Sequence, residues 1–304
     1  MKLMLKAYAK VNLALDVLRR RPDGYHDVKM IMQNIDLYDV LTFSAADDDI
    51  NNYRERKKEN DNSQKGNAKI TLNSNKGNIP LDENNLICKA VRLMYEEYGI
   101  EADMDIYLEK NIPVEAGMAG GSTDCAAAIK AVNEIFGLKL SEKEMMEIGV
   151  RLGADVPFCI MARTALSEGI GEKLSDVKRL PKCNILVAKP PISVSTGMVY
   201  KNLKCDELKK HPDVDGMIEA LSNKDLSKTA ACMENVLETV TVKLYPKIEE
   251  LKNIMKEHGA LNAIMSGSGP TVFGLFTSEE AANEAKKYIA DEGLSNEVYV
   301  VKPV

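Results

Sequence analysis

Lys110-Asn-Ile-Pro-Val-Glu-Ala-Gly-Met-Ala-Gly-Gly-Ser-Thr123 is the stretch on which the reading of this chain turns. Three glycines (Gly117, Gly120, Gly121) fall within five residues, two hydroxyls follow at once, and an alanine-rich helical pattern begins there. Glycine lets a backbone come close to an anion, and the first amides of a helix have no partner inside it. Together they form a cradle for phosphate, so the expected ligand is a phosphate or a nucleotide. A tight turn packed beneath a helix is the plainer alternative; glycines and hydroxyls gathered at one helix start favour the cradle. Spacing excludes two familiar cradles: no Gly-Lys-Ser/Thr follows the glycines, and no Gly-x-Gly-x-x-Gly occurs.

Working outward, residues 103–108 read as a strand feeding the loop, preceded by a helix from about Glu83 to Tyr98 that Gly99 ends. After the loop, Ala128, Val132 and Ile135 share one helical face that stops at Gly137. Ser141-Glu-Lys-Glu144 is a capping box for another helix, closed by Gly153. At the N-terminus every odd position from Leu3 to Val17 is apolar, the period of a half-buried strand, or of two strands with a bend. Lys10 and Asn12 then lie on the same non-core face, roughly 6.6 Å apart along the strand. A basic turn, Arg19 to Gly24, leads to Tyr25-His26 and a second strand near 28–43. The polar tract Asp47 to Asn67 reads as an exposed loop of low order. Beyond Thr164 we expect strands at 184–189, 263–265, 271–276 and 296–302. Helices are expected near 213–222, 225–238, 246–258 and 278–291, an α+β sandwich of ferredoxin-like type.

Composition narrows the function. At 304 residues the chain holds two modest domains or one large one, with 45% hydrophobic and 28% charged residues. A net charge of -6 supplies no basic field, so neither nucleic acid nor an anionic membrane is an expected partner. No apolar run approaches a membrane span, and the N-terminus lacks a signal peptide's continuous core. Six scattered cysteines without a Cys-x-x-Cys pair argue against structural zinc and a disulfide framework, and for a reducing cytoplasm. The three histidines show no metal-ligand spacing.

Other positions have two readings each. Ser122 and Thr123 serve as helix caps, or contact phosphate or magnesium, or both. Asp155, in Gly153-Ala-Asp-Val-Pro157, is by itself a turn-stabilising carboxylate, and Lys10 by itself a solvated lysine. A phosphate loop raises both, because a kinase needs a carboxylate for the acceptor hydroxyl and a cation for the developing charge. Met265-Ser-Gly-Ser-Gly-Pro270 is either a hairpin turn or a backbone that approaches a ligand.

Pro113 to Thr123 resembles the ATP loop of the GHMP kinases, among them galactokinase, homoserine kinase, mevalonate kinase and phosphomevalonate kinase. The likeness runs along the whole chain: Ala9-Lys-Val-Asn-Leu13, Arg21-Pro-Asp-Gly-Tyr-His26, Gly153-Ala-Asp-Val-Pro-Phe158 and Met265 to Pro270 occur in the family's order. It implies an α+β fold with a ribosomal protein S5 domain 2-like, ATP-binding N-terminal domain (1–163) and a ferredoxin-like C-terminal α/β sandwich (164–304). ATP and acceptor are expected to meet in the cleft between the domains, in a monomer or weak homodimer. The Asp-Gly-Tyr-His element marks a branch that uses ATP and magnesium to phosphorylate the 2-hydroxyl of a cytidine diphosphate-linked methylerythritol, a step of non-mevalonate isoprenoid precursor synthesis.

Residue by residue, the resemblance makes Asp155 the catalytic base and Lys10 its assistant. Tyr25, His26 and Tyr200 hold the cytosine, and Asn12, Thr196, Gly267, Ser268 and Gly269 join them around the acceptor. Adenine lies near Asn85, Leu86 and Lys110, and the phosphates lie along Pro113, Gly117, Ala119, Gly120, Gly121, Ser122 and Thr123. The magnesium ligands stay open among Ser122, Thr123 and Asp155. One departure stands out: Ala162-Arg163 replaces the two glycines, or glycine and histidine, usual before Thr164-Ala165. Two other readings are another GHMP small-alcohol kinase, of homoserine or mevalonate type, and a non-catalytic nucleotide-sensing relative. Tyr25-His26 argues against the first, and Lys10 with Asp155 against the second.

Overall fold

The structure, a computed structural model, describes residues 1–59 and 68–304. Residues 60–67 of the polar tract lie outside the described residues. Two long strands, β1 (Lys2–Arg20) and β2 (His26–Ser44), open the chain and contribute to both of its compact units. One unit comprises Met1–Tyr8, Tyr38–Ile112 and Gly121–Met161; the other comprises Ala9–Leu37, Pro113–Gly120 and Ala162–Val304. The expected division at 163 follows chain order, whereas these units interleave.

In the first unit, the end of β2 pairs antiparallel with β4 (Met104–Glu109), Val40 opposite Glu109, and β4 pairs parallel with β3 (Ile70–Ser74). Among the described residues, five helices accompany these strands. The first, α1 (Asp47–Glu59), corrects the expected loop. Its acids (Asp47, Asp48, Asp49) occupy the first turn and its bases (Arg56, Lys57, Lys58) the last, each sign at the end where the helix dipole favours it. Ile50 and Tyr53, three apart and therefore on one face, are its buried contacts. The Tyr53 and Tyr95 rings both meet Phe136 edge-on, with centroids 5.5 and 5.7 Å away. So narrow an apolar stripe in so polar a segment is what hid the helix. α2 (Leu86–Tyr98) starts at an N-cap, Asn85, and ends at Gly99, whose φ of 67° few other residues adopt. α3 (Gly120–Phe136) grows out of the glycine loop, and α4 (Glu142–Val150) carries the full Ser141/Glu144 capping box. α5 (Val156–Met161) follows, with Pro157 in its first turn, where a missing N–H costs nothing.

In the second unit, the start of β2 pairs antiparallel with β5 (Ala165–Gly169), and β5 with β6 (Lys173–Asp176). The chain continues through β7 (Asn184–Lys189), α6 (Thr196–Asn202), α7 (Val214–Ser222) and α8 (Leu226–Ala231). The single helix expected over 225–238 is interrupted here. β8 (Glu234–Asn235) pairs parallel with β1, Ala14 opposite Glu234, before α9 (Glu238–Leu244) resumes the helical path. α10 (Lys247–Glu257), β9 (Asn262–Met265), β10 (Val272–Phe276), α11 (Glu279–Asp291) and β11 (Glu297–Val301) complete the unit. Its four-stranded sheet runs β11-β7-β10-β9, antiparallel at every pairing, the ferredoxin-like order expected from the sequence. Among the described residues no helix is long and apolar enough to cross a membrane, and none of the six cysteines is in a disulfide.

Candidate active site

Lys10 and Asn12 show how this site is built, and they correct the sequence reading. Both were expected on a non-core face; they are 4% and 1% exposed. The β1 alternation holds only near the N-terminus, and from Ala9 to Val17 every residue is buried. The polar face there is covered by the glycine loop: the Lys10 amide donates to the Met118 carbonyl at 3.2 Å. The Lys10 ammonium donates to Asn12 Oδ1 at 2.7 Å and to the Gly117 carbonyl at 3.3 Å. A buried ammonium persists only when such acceptors replace its lost water.

The loop itself alternates in hand. Glu115 (φ 53°), Gly117 (φ 70°) and Ala119 (φ 58°) take positive φ, with the residues between them outside that region. Alternation of this kind turns successive amides toward one concave side, a nest for anions. Gly117 has a second reason to be glycine: a Cβ there would run into the Ser266 carbonyl oxygen and come within 3.0 Å of that of Gly269. Ser266 Oγ donates to the Gly117 carbonyl at 3.0 Å, and the space for a Cβ on Gly267 ends 3.1 Å from the same oxygen. The second glycine cluster is therefore a loop that seats on the first.

That second loop is held from behind by residues the sequence reading missed. Asn235 Nδ2 donates to the carbonyls of Met265 and Gly267, both at 2.8 Å, and its Oδ1 accepts from the Leu237 amide. Thr241 Oγ1 donates to the Ser268 carbonyl, and Glu238 accepts from the Met265 amide. Thr196 Oγ1 and Ser268 Oγ lie 2.8 Å apart. Asn235 falls inside what read as a helix, so no period marked it.

Also in the second unit, Arg21 to Tyr25 form a tight turn: the Arg21 amide bonds the Tyr25 carbonyl and the Gly24 amide bonds that of Arg21. The turn leaves Tyr25 59% exposed, while His26, the first residue of β2, is buried. The His26 ring meets that of Tyr200 on α6 with centroids 5.1 Å apart and a 42° tilt. Burial lowers the His26 pKa below the usual histidine range, and the Arg20 charge lowers it further. Its ring is thus neutral near pH 7, able to donate from one nitrogen and accept at the other.

In the first unit, Asn85 caps α2 through Oδ1, which accepts from the Ile87 amide at 2.9 Å, while its Nδ2 donates to the Pro80 carbonyl. Leu86 reaches the start of α3, its Cδ1 lying 3.6 Å from where a Gly121 Cβ would stand. Lys110 is buried between two carboxylates, Asp39 at 2.5 Å and Asp124 at 2.7 Å. A contact from Lys110 to adenine would accordingly use its backbone or stem. Ser122 is half-buried and Thr123 buried in the first turns of α3. Asp155 is half-buried between α4 and α5, its carbonyl accepting from the Cys159 amide at 3.1 Å. Among the described residues no group of three or more His, Cys, Asp or Glu side chains is placed to hold a metal ion.

The departure at 162–163 has a structural cost. Ala162 keeps a φ of 52°, a conformation that suits the glycine usual there. Arg163 pairs with Asp176, Nε to carboxylate, at 2.6 Å.

The N-terminal domain of the GHMP kinases matches residues 85–163, and their C-terminal domain matches 217–294. A 4-diphosphocytidyl-2-C-methyl-D-erythritol kinase of Lachnospira eligens is 45% identical over 298 residues, 98% of this chain and 97% of that one. One of Lachnoclostridium phytofermentans is 49% identical over 281 residues, 92% of this chain and 90% of the other. Among solved structures, a 4-(cytidine 5'-diphospho)-2C-methyl-D-erythritol kinase superposes with a TM-score of 0.79 at 27% identity, covering 99% of each chain. The chain belongs to the GHMP kinases and, within them, to the 4-diphosphocytidyl-2-C-methyl-D-erythritol kinase family.

Proposed function

We propose that this chain transfers the γ-phosphoryl group of ATP to the 2-hydroxyl of 4-diphosphocytidyl-2-C-methyl-D-erythritol. The observation that carries the reading is the buried Lys10 ammonium, held against a nest-forming glycine loop by Asn12 and the Gly117 carbonyl. A lysine so placed gives a phosphate loop a fixed positive charge, and family membership supplies the acceptor.

The chemistry follows from those groups. Asp155 takes the proton of the 2-hydroxyl as its oxygen bonds to the γ-phosphorus and the bond to the ADP oxygen breaks. Phosphoryl transfer has a loose transition state, so positioning and charge stabilisation do most of the work. Lys10 offsets charge on the transferring group without the delay of reorienting solvent. His26, neutral and against Tyr200, reads the cytosine edge, while Tyr25 supplies an exposed ring for stacking, worth about 1–3 kcal/mol per base. The loop from Pro113 to Thr123 receives the triphosphate through the amides that follow the proline, and the Gly267–Gly269 loop with Thr196 and Asn12 borders the acceptor. Magnesium usually binds through nucleotide phosphates and one or two protein groups. Ser122 and Asp155, both half-buried, are the donors this chain offers it, and the ion would neutralise phosphate charge. Six cysteines scattered along the chain without a Cys-x-x-Cys pair suit the reducing cytoplasm we propose as its setting.

The test is ADP release with equal concentrations of 4-diphosphocytidyl-2-C-methyl-D-erythritol, homoserine and mevalonate. Turnover with the cytidine compound alone is expected. Faster release with either small alcohol would transfer the chain to another branch, and release with none would make it a nucleotide-binding relative.

A further inference from the structure

The Gly117 carbonyl is a junction. It accepts Lys10 Nζ at 3.3 Å and Ser266 Oγ at 3.0 Å. A carbonyl oxygen has two lone pairs, so it can serve both donors at once. The hydroxyl therefore holds the carbonyl that helps to hold the ammonium. Ser266 is 0% exposed, so bulk solvent does not compete for that bond.

Ser266 is fixed in turn through its neighbour. Both backbone polar groups of Met265 are taken by side chains from the segment after α8. The Met265 amide donates to Glu238 Oε1 at 2.7 Å, and its carbonyl accepts Asn235 Nδ2 at 2.8 Å. Glu238 Oε2 accepts Lys252 Nζ of α10 at 2.6 Å. The two side chains are only 17% and 11% exposed, and a charge-assisted bond so sheltered keeps one geometry. Glu238 thus has one oxygen on an ion pair and the other on the second glycine loop.

The path closes on itself. Asn235 lies in β8, which pairs with β1 at Leu15, and the Val236 amide donates to the Leu15 carbonyl at 3.0 Å. β1 carries Lys10, whose amide bonds the first glycine loop at Met118. From β1 to β8, to the second loop, to Gly117 and back to Lys10, all the parts belong to one compact unit. A satisfied ring of hydrogen bonds restricts its members more than the same bonds would in an open chain. We infer that Glu238 and Ser266 are positioning residues for Lys10: Glu238 fixes the Met265 backbone, Ser266 fixes the Gly117 carbonyl, and that carbonyl aims the ammonium. Their effect on the reaction rests on the reading of Lys10 as the cation for the transferring phosphoryl group. Charge develops on that group in the transition state, so a misplaced Lys10 lowers kcat and leaves both KM values nearly unchanged. A loop that was merely propped up would lose stability and ATP affinity together.

A double-mutant cycle on transfer from γ-labelled ATP separates the two. Ser266→Ala and Glu238→Ala should each lower kcat by about tenfold or more, with both KM values close to those of wild type. In a Lys10→Met background the same changes should lower kcat little further, because they act through the ammonium. Equal losses in both backgrounds would overturn the assignment, as would a rise in KM without a fall in kcat. Glutamine offers one oxygen where glutamate offers two. The conservative rescue is therefore Glu238→Gln with Lys252→Met, which keeps an acceptor for the Met265 amide and removes the donor competing for it. It should restore most of kcat, and a folded protein without that recovery would overturn the role of Glu238. If Glu238→Ala does not fold, Ser266→Ala carries the cycle. The Lys10 ammonium signal in isotope-edited NMR of the intact protein, assigned with Lys10→Met, needs no turnover. It should shift or broaden in Ser266→Ala; a signal unmoved there overturns the positioning. A signal that moves as expected in a protein whose wild type transfers no phosphate would uphold the positioning and count against the kinase reading alone.

Discussion

Single residues carry most of what is specific here, and their environment decides which role each can take. His26 is the clearest case, because burial and Arg20 keep its ring neutral below the pH at which a solvated histidine charges. The KM for the cytidine substrate should stay level down through the ordinary histidine range and rise only at more acid pH. His26→Gln should raise KM at neutral pH and remove that acid limb; an identical limb in the variant would show that another group titrates. Ala162 is a second case, paying for a left-handed backbone with a side chain. Ala162→Gly should stabilise the protein by about 1 kcal/mol, read as a higher denaturant midpoint at unchanged slope; a lower midpoint would show that the methyl group packs usefully. The sequence displayed Tyr25, His26, Lys10 and Asp155 through their motifs. It did not display Asp39, Asp124 or Asn235, which act through hydrogen bonds to residues 14 to 73 positions away in the first two cases and to the second glycine loop in the third. Pairings that distant leave no local pattern.

At the scale of elements, legibility followed the strength of local signals. The Ser141/Glu144 capping box was readable because four consecutive residues complete it, and both of its hydrogen bonds form. Ser141→Ala should lower stability by about 1 kcal/mol, seen as an earlier thermal transition; no change would mean that α4 is held by packing alone. The four strands of the ferredoxin-like sheet were legible for a similar reason, since each is a short apolar run between turn or helix signals. α1 was not, because two buried residues in a strongly charged segment make too thin a stripe to outweigh its polarity. The break between α8 and α9 was not either, since β8 is only Glu234–Asn235 and exists by pairing with β1. The burial of Lys10 and Asn12 belongs here as well: strand period gives the face, but not what covers it.

For the whole molecule, the two glycine loops, the β1 lysine and the aromatic pair share one chain with Asp155, and family membership gives that set a chemical purpose. Several folds can cradle phosphate; what singles out an acceptor is the group of side chains remote in sequence from the cradle. We propose that phosphate moves from ATP to the cytidine substrate with Asp155 accepting the hydroxyl proton. The most direct measurement is transfer of γ-labelled phosphate from ATP to 4-diphosphocytidyl-2-C-methyl-D-erythritol by wild type and by Asp155→Ala, with ATP binding measured alongside. We expect labelled product from wild type, and from Asp155→Ala a rate lower by about a hundredfold or more, with ATP affinity nearly unchanged. Labelled product from Asp155→Ala at close to the wild-type rate would contradict the account.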